Sequence, residues 1–547
     1  MQTSSVKLSP SLPAEKNQAL TRRAIIIVVL IGLLAALLHL APYLFALWQL
    51  PDGWFFTGNL NTSPDLMQYY VWGRQTQIEG LVVSNKFTPE PNAPHLVLTL
   101  YYLIGQMAAL SGLRPEFVYV LLGSVFAFGL IVLLFVIIRR FMNSLYQTWW
   151  MFALLLLGGG LGPLIKIISR YQVIQNNLLL KRTLVDGLWL SIQFEDLRGH
   201  FIFQTLFDTH FLLLWLLTAA AIYTLYLTFN SFSWGRLAMT AVLFFITTTV
   251  HLYEGITLVI IAAVVLFIFW RKQLLQRHMF LTFITGSIGV GISLVWQALL
   301  FRSSGLPITE WREVELLISA VFLAFPLAWI IIVWGLGRYW HNAGVKESFL
   351  LGWIAACLLI IFAAPFYPYP TRGTLTLQIP VFLVAGAIYF AKYERVKWWA
   401  AFIVLGTLLI APLWIMENWW EVAQFNPNQP HKFMNEDHRE IVDTLAKNGT
   451  AADILIAKED QLLWLAPENP GKLYCGHFFL TVDYRAKCNQ VENFYSNPAA
   501  AQSQFLEDQN IRFVFVTADD DPQQFSQLPG LNLLAENSTG TLFEFSD

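Results

Sequence analysis

Residues 24 to 50 read AIIIVVLIGLLAALLHLAPYLFALWQL, a run without a single Asp, Glu, Lys or Arg. A helix of about 20 apolar residues spans a bilayer, because hydrocarbon offers backbone amides no other partner. The run exceeds the hydrophobic core of a signal peptide, and no small-residue cleavage pattern follows it, so it reads as a retained first span. Similar runs recur up to residue 416. With 56% hydrophobic and only 13% charged residues, and a mean hydropathy of +0.53, the chain is a multi-spanning membrane protein and not a string of soluble domains. A net charge of -2 supplies no basic surface for nucleic acid.

Charge at the ends of the runs sets the expected topology. Lys7, Lys16, Arg22 and Arg23 put the tail of residues 1–23 in the cytoplasm and residues 49–116 outside. Within that first outer loop, HLVLTLYYLIGQMAALSG is marginal for crossing. Were it to cross, Arg139 and Arg140 would end up outside, so it is expected as an interfacial helix. Further spans are expected at 117–138, 147–168, 208–228, 237–251, 254–270, 279–301, 315–337, 348–366, 373–391 and 398–416, giving about eleven with the first. Basic residues at Arg139/Arg140, Arg236, Arg271/Lys272/Arg277, Arg338/Lys346 and Lys392/Arg395/Lys397 agree with this orientation. Arg170, Lys181, Arg182 and Arg198 fall on the outer side, in a long segment that obeys the rule less strictly. The short pieces at 237–251 and 254–270, joined through HLYEG, are expected to form a hairpin lining a cavity.

An odd number of spans puts residues 417–547 outside, on the side of the first loop. Here ADILIA, KLYCG, IRFVFVTA and GTLFEFS have the character of strands, and DHREIVDTLAKNG that of a helix with a glycine stop, predicting a small α/β domain. Cys475 and Cys488 would form a bridge there if the domain faces an oxidising compartment, whereas Cys357 reads as a small core residue.

Candidate site residues cluster on the outer side. In SPDLMQYYVWGRQTQIEG, helical spacing puts Asp65, Gln68, Tyr69 and Trp72 near one face, a carboxylate among aromatic and amide groups suited to a sugar; Asp65 reads equally as a helix cap. The Pro-punctuated NKFTPEPNAPHL holds Lys86, Glu90 and His95. Lys86 could meet a phosphate and Glu90 a proton or divalent ion, against the alternative of solvated loop charges. Asp208 and His210 (DTHF), His251 and Glu254 (HLYEG) and Arg372 (YPYPTRGT) sit at outer span ends. His251 and Glu254, three apart, are either a hydrogen-bonded pair closing the hairpin or part of a metal site. Arg372 suits a lipid phosphate or headgroup anchoring. No P-loop, Ser-His-Asp order or reactive-cysteine setting is found.

The long first outer loop (FFTGNLNTSPDLMQYYVWGRQTQIEG running on through TPEPNAPHL), with LLGGGLGP, THFLL, HLYEG, PTRGTLTLQIPVFLVAG and LYCGHFFLTVDYRAKCNQVENFY, resembles the GT-C class of membrane glycosyltransferases, of bacterial type, over essentially the whole chain. The resemblance implies a polytopic α-helical GT-C-like fold with interfacial helices and an extracytoplasmic C-terminal domain, in a bacterial cytoplasmic membrane. It implies transfer of a sugar, with inversion, from a polyprenyl-phosphate donor to a lipid, glycan or protein acceptor. Asp65 would be the catalytic base and Arg372 a donor-phosphate ligand, with Tyr69, Lys86, Glu90, His95, His210, His251 and Glu254 as substrate-binding candidates. Many such proteins carry two adjacent acids in the loop, where this chain has Leu66 and Met67 after Asp65; a divalent cation therefore stays open as a cofactor. The alternatives are a flippase or transporter for a lipid-linked saccharide, for which charged residues at mid-membrane and repeated broken helices would be expected, and a non-catalytic GT-C-like scaffold.

Overall fold

The computed structural model describes residues 21–60, 64–92, 94–96, 99–158, 202–303, 321–322, 325–363, 375–393, 395–396, 412–413, 415–478, 480–496, 501–520 and 522–546. Helix α1 (Arg22–Trp48) is followed by strand β1 (Trp54–Phe56), helix α2 (Pro64–Ile78), strands β2 (Val82–Val83) and β3 (His95–Leu96), and helix α3 (Thr99–Ser111). The bundle continues through α4 (Pro115–Phe141), α5 (Leu145–Leu157), the short α6 (Ile202–Thr205), α7 (Thr209–Asn230), α8 (Trp234–Val250), α9 (Leu252–Arg271), α10 (Arg277–Ser303), α11 (Pro326–His341), α12 (Val345–Phe362) and α13 (Gln378–Lys392).

Six of these helices are long and apolar enough to cross a membrane: α1, α4, α7, α9, α10 and α12. Helices α5, α8 and α13 are apolar but shorter. Their positions match expected spans. The expected span at 398–416 falls mainly outside the described residues, and that at 147–168 continues beyond them. Helix α3 has 13 residues, about 20 Å of helix against about 30 Å of hydrocarbon, so it does not cross unaided. It lies instead on α2, where Gly105 permits the approach: a Cβ there would come within 2.0 Å of Thr76 Oγ1 and 2.5 Å of the Gly73 carbonyl. Thr76 Oγ1 donates to Gly73 O (3.0 Å) or Tyr101 O (3.1 Å), and Gln106 Nε2 to Thr76 O (2.7 Å).

Beyond the bundle come β4 (Phe433–Asn435), α14 (Glu436–Asn448), β5 (Ile454–Ile456), α15 (Glu459–Leu465), β6 (Lys472–Leu473), α16 (Tyr484–Ser496), α17 (Ala501–Asp508), β7 (Phe513–Thr517), α18 (Pro522–Ser526), β8 (Leu531–Asn537) and β9 (Gly540–Phe545). Helix α14 starts where the Asn435 side chain accepts from His438 N and stops at Gly449, burying Ile441, Val442 and Leu445. The sheet runs β6-β5-β7-β9-β8, with β6, β5 and β7 parallel and β7, β9 and β8 antiparallel. Cys475 and Cys488 are joined by a disulfide.

Period-2 alternation decides what each face of the sheet meets. Val514 and Val516 share an apolar cluster with Ile454, Ile456, Phe494 and Phe525 within the domain. Phe513 and Phe515 belong instead to a cluster that takes in Phe56, Val83, Phe87, Tyr101 and Tyr119 from the first loop and the bundle. The C-terminal domain therefore shares a core with the first loop. Strand β1 pairs antiparallel with β4, Trp54 opposite Asn435 and Phe56 opposite Phe433. Since these strands exchange backbone hydrogen bonds, the two long polar regions lie on one side of the bundle, as expected.

Candidate functional site

The site end of the bundle is where α2 packs on α3 and the start of α4, with Tyr69 against His210 at the start of α7. In the first two turns of α2 the side chains of Leu66, Met67 and Gln68 are buried, while Asp65 and Tyr69 keep partial exposure. Spacing of four residues stacks these two on one stripe. The expected face thus holds for Asp65 and Tyr69, with Gln68 turned inward (8% exposed).

Asp65 sits inside the first turn of α2, where the helix dipole favours an anion. Its Oδ1 lies 3.2 Å from Nε2 of His477, whose side chain is fully buried while that of Asp65 is 48% exposed. A carboxylate only accepts, so Nε2 carries the proton. The imidazole is fixed by stacking on Phe478 (4.5 Å between centroids) and by the edge of Phe87 (5.7 Å). The backbone before it is held by Thr481 Oγ1, which accepts from the N–H groups of Gly476 (3.0 Å) and His477 (2.9 Å).

Next to Asp65, one turn on, begins a chain of rings. Tyr69 stacks on Tyr101 (4.4 Å, 18°) and on His210 (5.3 Å, 23°), and contacts Trp72 (6.3 Å). The Tyr101 hydroxyl is hydrogen-bonded to His210 Nδ1 at 2.9 Å. Burial pushes the Tyr101 phenol well above its ordinary pKa, so it keeps its proton at neutral pH. His210 is set at the start of α7 by Asp208, whose side chain accepts from the backbone N–H groups of His210 and Phe211. The ring of His210 lies 5.6 Å from that of His251.

His251 is the only residue between α8 and α9, serving as the C-cap of one and the N-cap of the other with extended φ and ψ of -153° and 115°. Its imidazole pairs with the fully buried carboxylate of Glu254. The two residues face each other across the α8–α9 junction. Among the described residues no three His, Cys, Asp or Glu side chains group as a metal site. The structure thus gathers Tyr69, His210, His251 and Glu254 into one cluster beside Asp65.

Lys86 and Glu90 lie elsewhere, in a seam with the C-terminal domain. Lys86 Nζ donates to Pro470 O (2.8 Å) and the Glu90 carboxylate pairs with Lys487 and accepts from Thr88 Oγ1. Burial lowers the Lys86 pKa. Burial acts to raise that of Glu90, but the Lys487 and Thr88 hydrogen bonds outweigh it and hold the carboxyl below its usual range. The loop is further tied by Leu473 N to Lys86 O (2.7 Å), Asn85 Nδ2 to Leu480 O (2.7 Å) and Thr481 Oγ1 to Phe87 O (2.5 Å). His95 takes part in the β2–β3 pairing opposite Val83; its side chain, and all of Arg372, fall outside the described residues.

Two features escaped the sequence reading. One is His477; the other is a four-membered ionic knot. Arg74 bridges Glu116 (2.9 Å) and Glu468, and Arg114 Nη2 reaches the same Glu468 at 2.8 Å. Burial acts to lower the Arg74 pKa, and the two carboxylates raise it above its ordinary value, so it is charged throughout. The partners are 42 and 394 residues from Arg74, and no local spacing signals such pairs.

These features define a helical membrane protein with a small mixed-sheet domain closed over one end. No protein-family model matches the chain, and no curated protein matches it. Among solved structures it is similar to the crystal structure of ArnT from Cupriavidus metallidurans in the apo state, with a TM-score of 0.49 and 11% identity over 95% of this chain and 97% of that one.

Proposed function

We propose that the protein is an inverting glycosyltransferase of the GT-C type, taking a sugar from a polyprenyl-phosphate carrier at the outer surface of the membrane. The observation that carries this reading is a partly exposed carboxylate, Asp65, held by a buried imidazole at the rim of an aromatic and histidine cluster where the helix bundle meets the C-terminal domain. Asp65 takes the acceptor hydroxyl proton as the acceptor oxygen bonds to C1 from the face opposite the phosphate. The C1–O bond to phosphate breaks with its electron pair, and polyprenyl phosphate leaves. Tyr69 offers a ring face to the sugar, and the Tyr101–His210–His251 chain lines the wall behind it. Arg372 remains the proposed phosphate ligand on the resemblance alone. Lys86 and Glu90, each paired across the seam, are assigned to holding the loop.

The outer location draws support from the Cys475–Cys488 disulfide, a bond that persists in oxidising compartments. The strands β1 and β4 put the first loop on the same side as that bond. The test is transfer by the purified full chain from a panel of polyprenyl-phosphate sugars, following release of polyprenyl phosphate. Release with at least one donor, dependent on an added acceptor, is expected. Silence across the panel, with the folded protein shifting a fluorescent lipid-linked saccharide between leaflets, would turn the assignment toward a flippase.

A further inference from the structure

Helix α4 begins beside Arg74 at the site end and runs for 27 residues to Phe141, about 40 Å away. At that far end α4, α5, α11, α12 and α13 enclose a cavity of about 540 Å³. Its lining includes three cations, Arg338, Lys346 and Lys392, and one carboxylate, Glu347. The carboxylate is engaged as an acceptor for Gly344 N (3.1 Å), closing the start of α12. Lys346 Nζ lies 3.4 Å from Asn143 Oδ1, and Lys392 Nζ stands 4.2 Å from the centre of the Trp334 ring. Arg338 is exposed and has no acidic partner among the described residues.

A second observation asks for an acceptor. The Tyr339 hydroxyl lines the same cavity, is buried, and has no hydrogen-bond partner among the described residues. Such a group costs stability unless an oxygen reaches it. Outside, Val333 (74% exposed), Trp334 (61%) and Trp340 (40%) present an apolar and aromatic face of α11, the composition of a membrane interface. Gly335 brings α11 against α13 at the cavity wall, for a Cβ there would come within 2.2 Å of Ile388 Cγ2. Arg139, donating to Met142 O at 3.2 Å, adds to the positive field nearby.

We infer that this cavity is a binding site for the phosphate headgroup of an anionic lipid, in the leaflet opposite the Asp65 cluster. The cations meet the phosphate oxygens, Tyr339 donates to one of them, and the acyl chains run down the exposed face of α11. The site is independent of the reading of Asp65, since it lies at the other end of the bundle. Soluble phosphate would satisfy the same cations but has no use for the apolar face.

The full chain in nanodiscs of phosphatidylcholine, with and without phosphatidylglycerol, provides the test. Lipid retained after detergent exchange is measured by native mass spectrometry, alongside the thermal midpoint. Wild type should retain phosphatidylglycerol over phosphatidylcholine and melt higher in its presence. Each of Arg338→Gln, Lys346→Gln and Lys392→Gln should lower that preference about fivefold, while melting unchanged in pure phosphatidylcholine. Millimolar inorganic phosphate should leave the retained lipid in place. Equal retention of the two lipids by wild type, or displacement by phosphate at that concentration, overturns the proposal. So does a preference untouched by all three substitutions.

Discussion

Asp65 and His477 are 412 residues apart in the chain and 3.2 Å apart in space. The buried imidazole gives the carboxylate a fixed hydrogen-bond donor on one oxygen and leaves the other side toward solvent. Replacing His477 with Ala removes a hydrogen bond to a charged group, worth about 1.5–3 kcal/mol. If the bond positions the base, kcat falls about 10- to 100-fold while KM moves little. His477→Gln, which keeps a donor, should recover part of the loss. Steady-state kinetics of the two variants provide the check, and a pure KM effect would remove His477 from the positioning role.

Arg74 holds Glu116, whose side chain is 2% exposed, together with Glu468 of the C-terminal domain. Arg74→Ala leaves the buried Glu116 carboxylate with Arg114 Nε at 3.5 Å as its remaining cation, so the loss should approach but not reach the about 3–5 kcal/mol of a fully broken buried pair. Thermal unfolding in a fixed detergent should show this as a clear drop in midpoint, whereas Arg439→Ala, which breaks an exposed pair with Asp443, should lie within about 1 kcal/mol of wild type.

The α2–α3 contact rests on the missing side chain of Gly105. In Gly105→Ala the new methyl meets backbone at 2.5 Å and the Thr76 hydroxyl at 2.0 Å, so α3 must move. Overpacking of this kind costs about 1–3 kcal/mol. Because Tyr101 rides on α3, its contact with Tyr69 and His210 shifts as well. The variant should lose activity at temperatures where it remains folded, which separates displacement of the site from unfolding.

Stability should fall in mild acid, and the C-terminal domain should respond first. Burial lowers the pKa of His431 from 6.5 to about 4, and that of His438 likewise to about 4. Both imidazoles fold neutral, so the unfolded chain binds more protons between pH 6.5 and about 4. Stability therefore rises with pH across that window and is lost as pH drops through it. His431 O accepts from Thr57 Oγ1 (2.7 Å) beside the β1–β4 pairing, so undocking of the domain from the first loop should accompany the loss. Limited proteolysis of the chain around residue 430, followed from pH 7 to pH 4.5, measures it. A flat profile would contradict neutral burial.

Reducing the Cys475–Cys488 bond frees a loop with a sequence separation of 13, worth about 3 kcal/mol on the chain-entropy account. The midpoint of the purified protein should drop on adding dithiothreitol, and Cys475→Ser/Cys488→Ser should melt at the lower value with or without reductant.

Sequence read well wherever a feature is local. Strands β5, β6, β7 and β9, helix α14 with its Gly449 stop, and the His251–Glu254 pair all follow from spacing within a few residues. Strand β8 carries no clear strand signal, because LNLLAEN mixes polar residues into a two-sided edge, its burial running buried, exposed, exposed. Three-residue β1 carries too short a pattern to count, and its meaning comes from β4, hundreds of residues further along the chain. The roles of Lys86 and Glu90 were illegible for the same reason: a charge in a Pro-rich loop looks solvated until a distant domain covers it. Asp65 could be found, since a carboxylate in the first turn of a helix after a span is conspicuous, but His477 could not.

The central claim is that Asp65 removes the acceptor proton. Sugar transfer by wild type and Asp65→Asn, purified in parallel and compared at saturating donor and acceptor, tests it most directly. In Asp65→Asn, kcat should fall by about 10²- to 10⁴-fold, with unchanged melting behaviour. An Asp65→Asn protein that transfers sugar at the wild-type rate would contradict it.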